Sequence, residues 1–146
     1  MKILSAIGGG LAGALAVTLI HEVVKRVDSE APRMDLLGMD ALSKILRHSE
    51  QPVPSEDKLF KATLAGDIIS NAAYYSFAVA RNKKVWTSGS LLGLAAGIGA
   101  VVLPKYIGLN PAHSNKTAKT QILTTSLYLA GGLIASAVAK SLDKKR

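Results

Sequence analysis

The stretch from Ile3 to Val24 constrains this chain more than any other. It is apolar over a bilayer-spanning length and rich in glycine and alanine. Ionisable residues appear only at its far end, where it runs through His21 and Glu22 into Lys25 and Arg26. A hydrocarbon core needs about 20 residues of helix, and residues 3 to 27 supply them. Gly8, Gly9, Gly10 and Gly13 would weaken a helix in water, whereas between lipid-embedded helices small residues let two backbones approach. Gly9 and Gly13 make one small-residue pair, and Ala6, Gly10 and Ala14 make a row beside it. That row continues through Thr18 to His21, Glu22 and Lys25, so one face changes from small to polar. Met1-Lys2 and the Ala14-Leu15-Ala16 triplet resemble a signal peptide with its cleavage site. The apolar run continues past that site, however, and the region before it holds only Lys2, so a retained transmembrane helix is the expectation.

Composition agrees with a membrane setting. The 146 residues are enough for one domain, and 49% of them are hydrophobic against 19% charged, too apolar and too clustered for an ordinary soluble domain. There is no cysteine, which excludes disulfides and thiolate metal sites. The net charge of +8 comes from basic residues that flank apolar runs instead of lining one face with interleaved aromatics. That distribution points to the lipid bilayer as partner and to no nucleic acid.

Three further spans follow, at about 59–80, 87–104 and 120–139 of the sequence. The span at 59–80 is the most demanding, because it contains Asp67 and Asn71. An Asp at mid-helix costs about 2.5–3.5 kcal/mol, and each Leu, Ile, Phe or Val returns about 0.3–0.6. Such a helix inserts only with partners. Thr63, Asp67, Ser70, Asn71 and Tyr74 share one of its faces, as a stripe belonging inside a bundle would. Gly89, Gly93 and Gly97 recur at strict four-residue spacing in the third span, the strongest packing signal in the chain. Gly131 lies on one face of the fourth. The expected helix-packing set is therefore Gly9, Gly13, Gly89, Gly93, Gly97 and Gly131, with the first helix at the centre and its small face against the glycine row of the third span.

Pro32 is expected to stop the first helix. Between the first two spans, residues 34–47 show apolar residues near helical spacing, too few to span, which reads as a short amphipathic helix at the interface or capping the bundle. Gly38 is expected to interrupt it and Asp40 to restart it as an N-cap. The fold class expected is an all-α integral membrane protein, with four transmembrane helices in a small bundle and one interfacial helix. Basic residues of the 81–84 turn and of the tail favour both termini on the cytoplasmic side, and the expected location is a bacterial inner membrane.

One set of helix ends collects the unusual residues. His21, Glu22, Asp67, Asn71, Lys105, Tyr106, Gln121 and Thr124 form the expected polar cluster, with His113 in the nearby loop. Three readings compete for it: a structural cluster in which Lys105 or Lys25 neutralises Asp67, a proton or ion site, and a metal site built from His21, Glu22, Asp67 and His113. The first is favoured. No catalytic motif stands in a recognisable context, so the expectation names no catalytic residue, cofactor or metal. The function expected is that of a small structural or accessory multi-pass protein, acting through helix contacts with itself as a homo-oligomer or with a larger membrane complex. The alternative is a small transporter or channel-like protein with a polar path through Asp67, Asn71, Glu22 and His21.

Overall fold

A computed structural model describes residues 3–80 and 84–144. Among these every element is helical: α1 (Ile3–Val27), α2 (Met34–His48), α3 (Glu56–Ala80), α4 (Val85–Val102), a 3₁₀ turn (Pro104–Ile107), α5 (Ala112–Asn115) and α6 (Ala118–Lys144). Three of them, α1, α4 and α6, are long and apolar enough to cross a membrane, which marks the chain as a membrane protein. Lys2, Lys145, Arg146 and the Arg81, Asn82 and Lys83 of the basic turn lie outside the described residues.

Two helices, α1 and α6, sit inside the bundle side by side. One side of α6 carries α1, a second carries α4, and α3 packs along the remaining flank of α1. Glycines make these contacts close. A Cβ added to Gly9 would stand 2.5 Å from the carbonyl oxygen of Ala135, and one added to Gly13 would stand 2.6 Å from that of Gly131. On a second side of α6, a Cβ on Gly89 would lie 2.6 Å from Gly132 O, on Gly93 2.8 Å from Tyr128 O, and on Gly97 2.7 Å from Thr125 Cα. Real Cβ atoms do not come so near, so these helix pairs touch backbone to backbone. The α4 row therefore meets α6, where the first helix had been expected. The reason is the Gly131-Gly132 pair: successive helical residues point about 100° apart, so two adjacent glycines open α6 on two sides. The second small row of α1 is used too, since Gly10 faces Ala72 and Ser76 of α3.

Local chemistry explains the boundaries. Leu59 N donates to Ser55 O at 2.9 Å, so α3 begins with Glu56 and Asp57 in its first turn, where acids suit the helix dipole. α4 stops before Pro104, which opens the 3₁₀ turn closed by Gly108 at φ 77°. α1 ends at Val27, ahead of the turn that leads to Pro32. α2 runs unbroken through Gly38, contrary to the expected interruption. A side chain at Gly38 would collide with that of Thr63, so this glycine serves the close approach of α2 to α3. Asp40 does not cap a helix; it accepts a hydrogen bond from Asn110 N at 3.0 Å.

Candidate functional site

The polar residues gather where α1 ends. Its last turns carry His21, Glu22 and Lys25 on one face, and the chain then folds back over them. Ala31 N donates to Asp28 O at 3.1 Å, and Arg33 N donates to His113 O at 2.7 Å, which ties the loop to α5. Asp28 is bridged to Lys119 at 2.6 Å, and Thr120 Oγ1 donates to Glu30 O at 2.8 Å, which ties it to α6. Held this way, the fully buried Pro32 presents its carbonyl oxygen 3.0 Å from His21 Nε2. A carbonyl only accepts, so Nε2 carries the proton of this bond, and Nδ1 keeps the lone pair in the neutral ring.

Asp35 is the hub of the ion pairs. Arg33 forks onto it, with Nε at 2.9 Å and a terminal nitrogen at 2.8 Å, while Lys25 Nζ lies 3.1 Å from the same carboxylate. Lys25 also reaches Glu22 at 2.7 Å. The Asp35 side chain is 9% exposed. Burial opposes its ionisation, but the hydrogen bonds and charges of Arg33 and Lys25 outweigh that and hold its carboxyl well below the usual carboxylate range.

Asp67 has no such partner. It accepts a hydrogen bond from Asn71 Nδ2 at 3.0 Å, and among the described residues no basic side chain forms an ion pair with it. Lys25 is already engaged by Glu22 and Asp35. Lys105, the other neutralising residue expected, lies over the ring of Tyr106 at 4.7 Å, and Tyr106 is itself exposed. The 3₁₀ turn carries both away from the interior. Gln121 donates to Asn115 O at 3.4 Å, and the buried Thr124 hydroxyl bonds Ser114 O and Thr120 O, so both serve the connection into α6. The structure thus gathers His21, Glu22 and Asp67, with Asn71 behind the last. Lys105, Tyr106, Gln121 and Thr124 have other duties.

No protein-family model, curated protein or solved structure matches this chain.

Between α1, α2, α3 and α6 lies a small cavity of about 30 Å³, whose polar lining comes from Thr18, His21, Glu22, Asp35, Thr63 and Asp67. His113 is not part of it; it borders a separate depression beside α5. Among the described residues no three His, Asp or Glu side chains are grouped as a metal site. Above the cavity the interior closes. Tyr75, fully buried, donates to Tyr128 O at 2.8 Å, and Tyr74 donates to Leu92 O at 2.7 Å. Sequence reasoning missed Asp35 and Arg33 as members of the cluster. The signal was there in Pro32-Arg33-Met34-Asp35, two opposite charges just after a proline, too short to pair usefully with anything but the helix end before it.

Proposed function

We propose that this chain is a four-span protein of a bacterial inner membrane, with both termini cytoplasmic, acting as a small structural or accessory subunit through helix contacts with itself or a larger membrane complex. The fourth span is α3. It runs beside α1 from the level of Asp67 to Ser76, which faces Gly10, and continues to α4, where Ser88 Oγ donates to Ala78 O at 2.5 Å. A bilayer crossed by α1, α4 and α6 encloses a helix so placed. α2 then lies at the interface, packed on α3 beside the end of α1. Arg81, Lys83, Lys84 and the basic tail favour the cytoplasmic side for the termini.

The observation that carries the accessory role is the difference between two outward faces. α1 exposes Leu4, Ile7, Leu11, Leu15, Leu19 and Val23, a surface suited to lipid tails. α3 exposes Ala62, Ala65, Gly66, Ser70 and Ala73, interspersed with the larger Ile69 and Phe77. A Cβ on Gly66 would meet nothing within 4 Å, whereas those on Gly9, Gly13, Gly89, Gly93, Gly97 and Gly131 would strike neighbouring helices. Small residues facing outward from a span favour another helix over lipid.

Because the chain has no cysteine, single cysteines can report this directly. In native membranes, Ser70→Cys is expected to cross-link to a defined partner and Leu15→Cys to give no adduct. An adduct of twice the chain mass identifies self-association, and Gly66→Leu is expected to abolish it while leaving the fold intact. Equal cross-linking from both faces, or none from Ser70→Cys, contradicts the reading. The transporter or channel-like alternative, with a path through Asp67, Asn71, Glu22 and His21, has the cavity in its favour. Tyr74 and Tyr75, spent on main-chain carbonyls, close the space beyond Asn71, which favours a blind pocket over a conducting path.

A further inference from the structure

One carboxylate at the cavity stands outside the ion-pair cluster. From α1 come Glu22, Lys25 and His21; from α2 and the loop before it come Asp35 and Arg33; α3 contributes Asp67; and α6 contributes Tyr128, which packs against the cavity. Lys25, Arg26 and Arg33 all pair with Glu22 or Asp35 and none of them bridges Asp67, whose carboxylate accepts from the Asn71 amide and shares the cavity with the His21 imidazole. A carboxylate partly buried between helices without an ion-pair partner is costly, and it recovers that cost by binding a proton or a cation.

A second observation chooses between these. Three helical hydroxyls bond back one turn: Ser70 to Gly66 O, Thr124 to Thr120 O and Ser136 to Gly132 O. Thr18 and Thr63 do not. Their hydroxyl oxygens are buried and have no hydrogen-bond partner among the described residues, and both residues line the cavity that Asp67 lines. One carboxylate and two free hydroxyls, contributed from two helices, form a set of hard oxygen donors with a single net negative charge. A proton on Asp67 would leave both hydroxyls unmet. A hard monovalent ion takes oxygen donors of this kind. At about 30 Å³ the cavity has room for one or two water-sized occupants, enough for a small dehydrated ion and little else.

We propose that this cavity binds a sodium-sized monovalent cation, with Asp67 as its anionic ligand and Thr18 and Thr63 as neutral oxygen ligands. The site stands independently of the accessory role, since it depends on no partner of α3. Protons compete for Asp67, so sodium binding weakens as the pH falls.

The test uses the full chain in lipid nanodiscs, with sodium chloride exchanged for choline chloride at constant ionic strength and thermal unfolding as the readout. A saturable rise in Tm with sodium is expected, with choline inert and potassium weaker. Asp67→Asn is expected to abolish the response. Thr63→Val, which keeps the side-chain shape, is expected to weaken sodium binding by about tenfold for the loss of one ligand, while leaving Tm in choline close to that of the unaltered chain. Should Asp67→Asn fail to fold, Thr63→Val and Thr18→Val carry the test alone. A Tm indifferent to the identity of the cation overturns the proposal and leaves a cavity for water or a proton. An unaltered sodium response in the variants overturns it equally.

Discussion

Gly132→Ala is expected to destabilise this protein by about 3 kcal/mol, at the upper end of what overpacking costs, and Gly132→Leu to prevent the native bundle from forming. A Cβ at this position would run into the carbonyl oxygen of Gly89 and stand 3.3 Å from Gly93 Cα. The obstacle is main chain on both helices, so no rotamer change relieves it, and α4 would have to move off α6 along its length. Gly66→Ala gives the contrast. Nothing lies within 4 Å of the added methyl, and alanine is the better helix former by about 1 kcal/mol, so this change is expected to be neutral or mildly stabilising in the isolated protein. Denaturant or thermal unfolding in one detergent, run on both variants, checks the pair. Equal effects would mean that the backbone contact of α4 with α6 is not what holds the bundle.

Asp35→Asn is expected to have the second-largest effect, a loss of about 3 kcal/mol, because removing one member of a buried ionic cluster leaves the others uncompensated. The carboxylate holds Arg33 and Lys25 together and so fixes the loop that covers His21. The sign of its pH dependence follows from its folded-state value lying below the usual one. Its stabilising contribution is complete above the unfolded carboxylate value of about 3.9 and is lost as the pH falls from there through the lower folded value. Unfolding followed between neutral and acid pH is therefore expected to show a fall below about pH 4 that is smaller in Asp35→Asn. A variant as stable as the original at neutral pH would show that Asp35 bears no structural load.

Much of the architecture could be read from residues, and the rest failed for identifiable reasons. The apolar run of α1 gives the bounds Ile3–Val27 that the structure has, because length, glycine content and the charged end are local properties. Partner choice is not local. The spacing of Gly89, Gly93 and Gly97 announces a flat face, but only the adjacent pair Gly131-Gly132 says that α6 accepts helices on two sides. Gly38 reads as a helix breaker in one dimension and as a close contact with Thr63 in three. Lys105 looks like a counter-charge for Asp67 until the 3₁₀ turn after Pro104 carries it outward. The polar cavity was legible only in part: His21, Glu22 and Asp67 stand out as ionisable groups near apolar runs, whereas Thr18 and Thr63 matter because their hydroxyl oxygens are buried without a hydrogen-bond partner among the described residues.

Whether α3 crosses the bilayer is the point on which the four-span arrangement rests, and single cysteines at Gln51, Lys84, Lys116 and Ser141, all exposed, test it with a membrane-impermeant thiol reagent. Gln51 and Lys116 positions are expected to label from outside intact cells, and Lys84 and Ser141 positions only after the membrane is opened. Labelling of the Gln51 and Lys84 positions from the same side would contradict it, because α3 would then not cross.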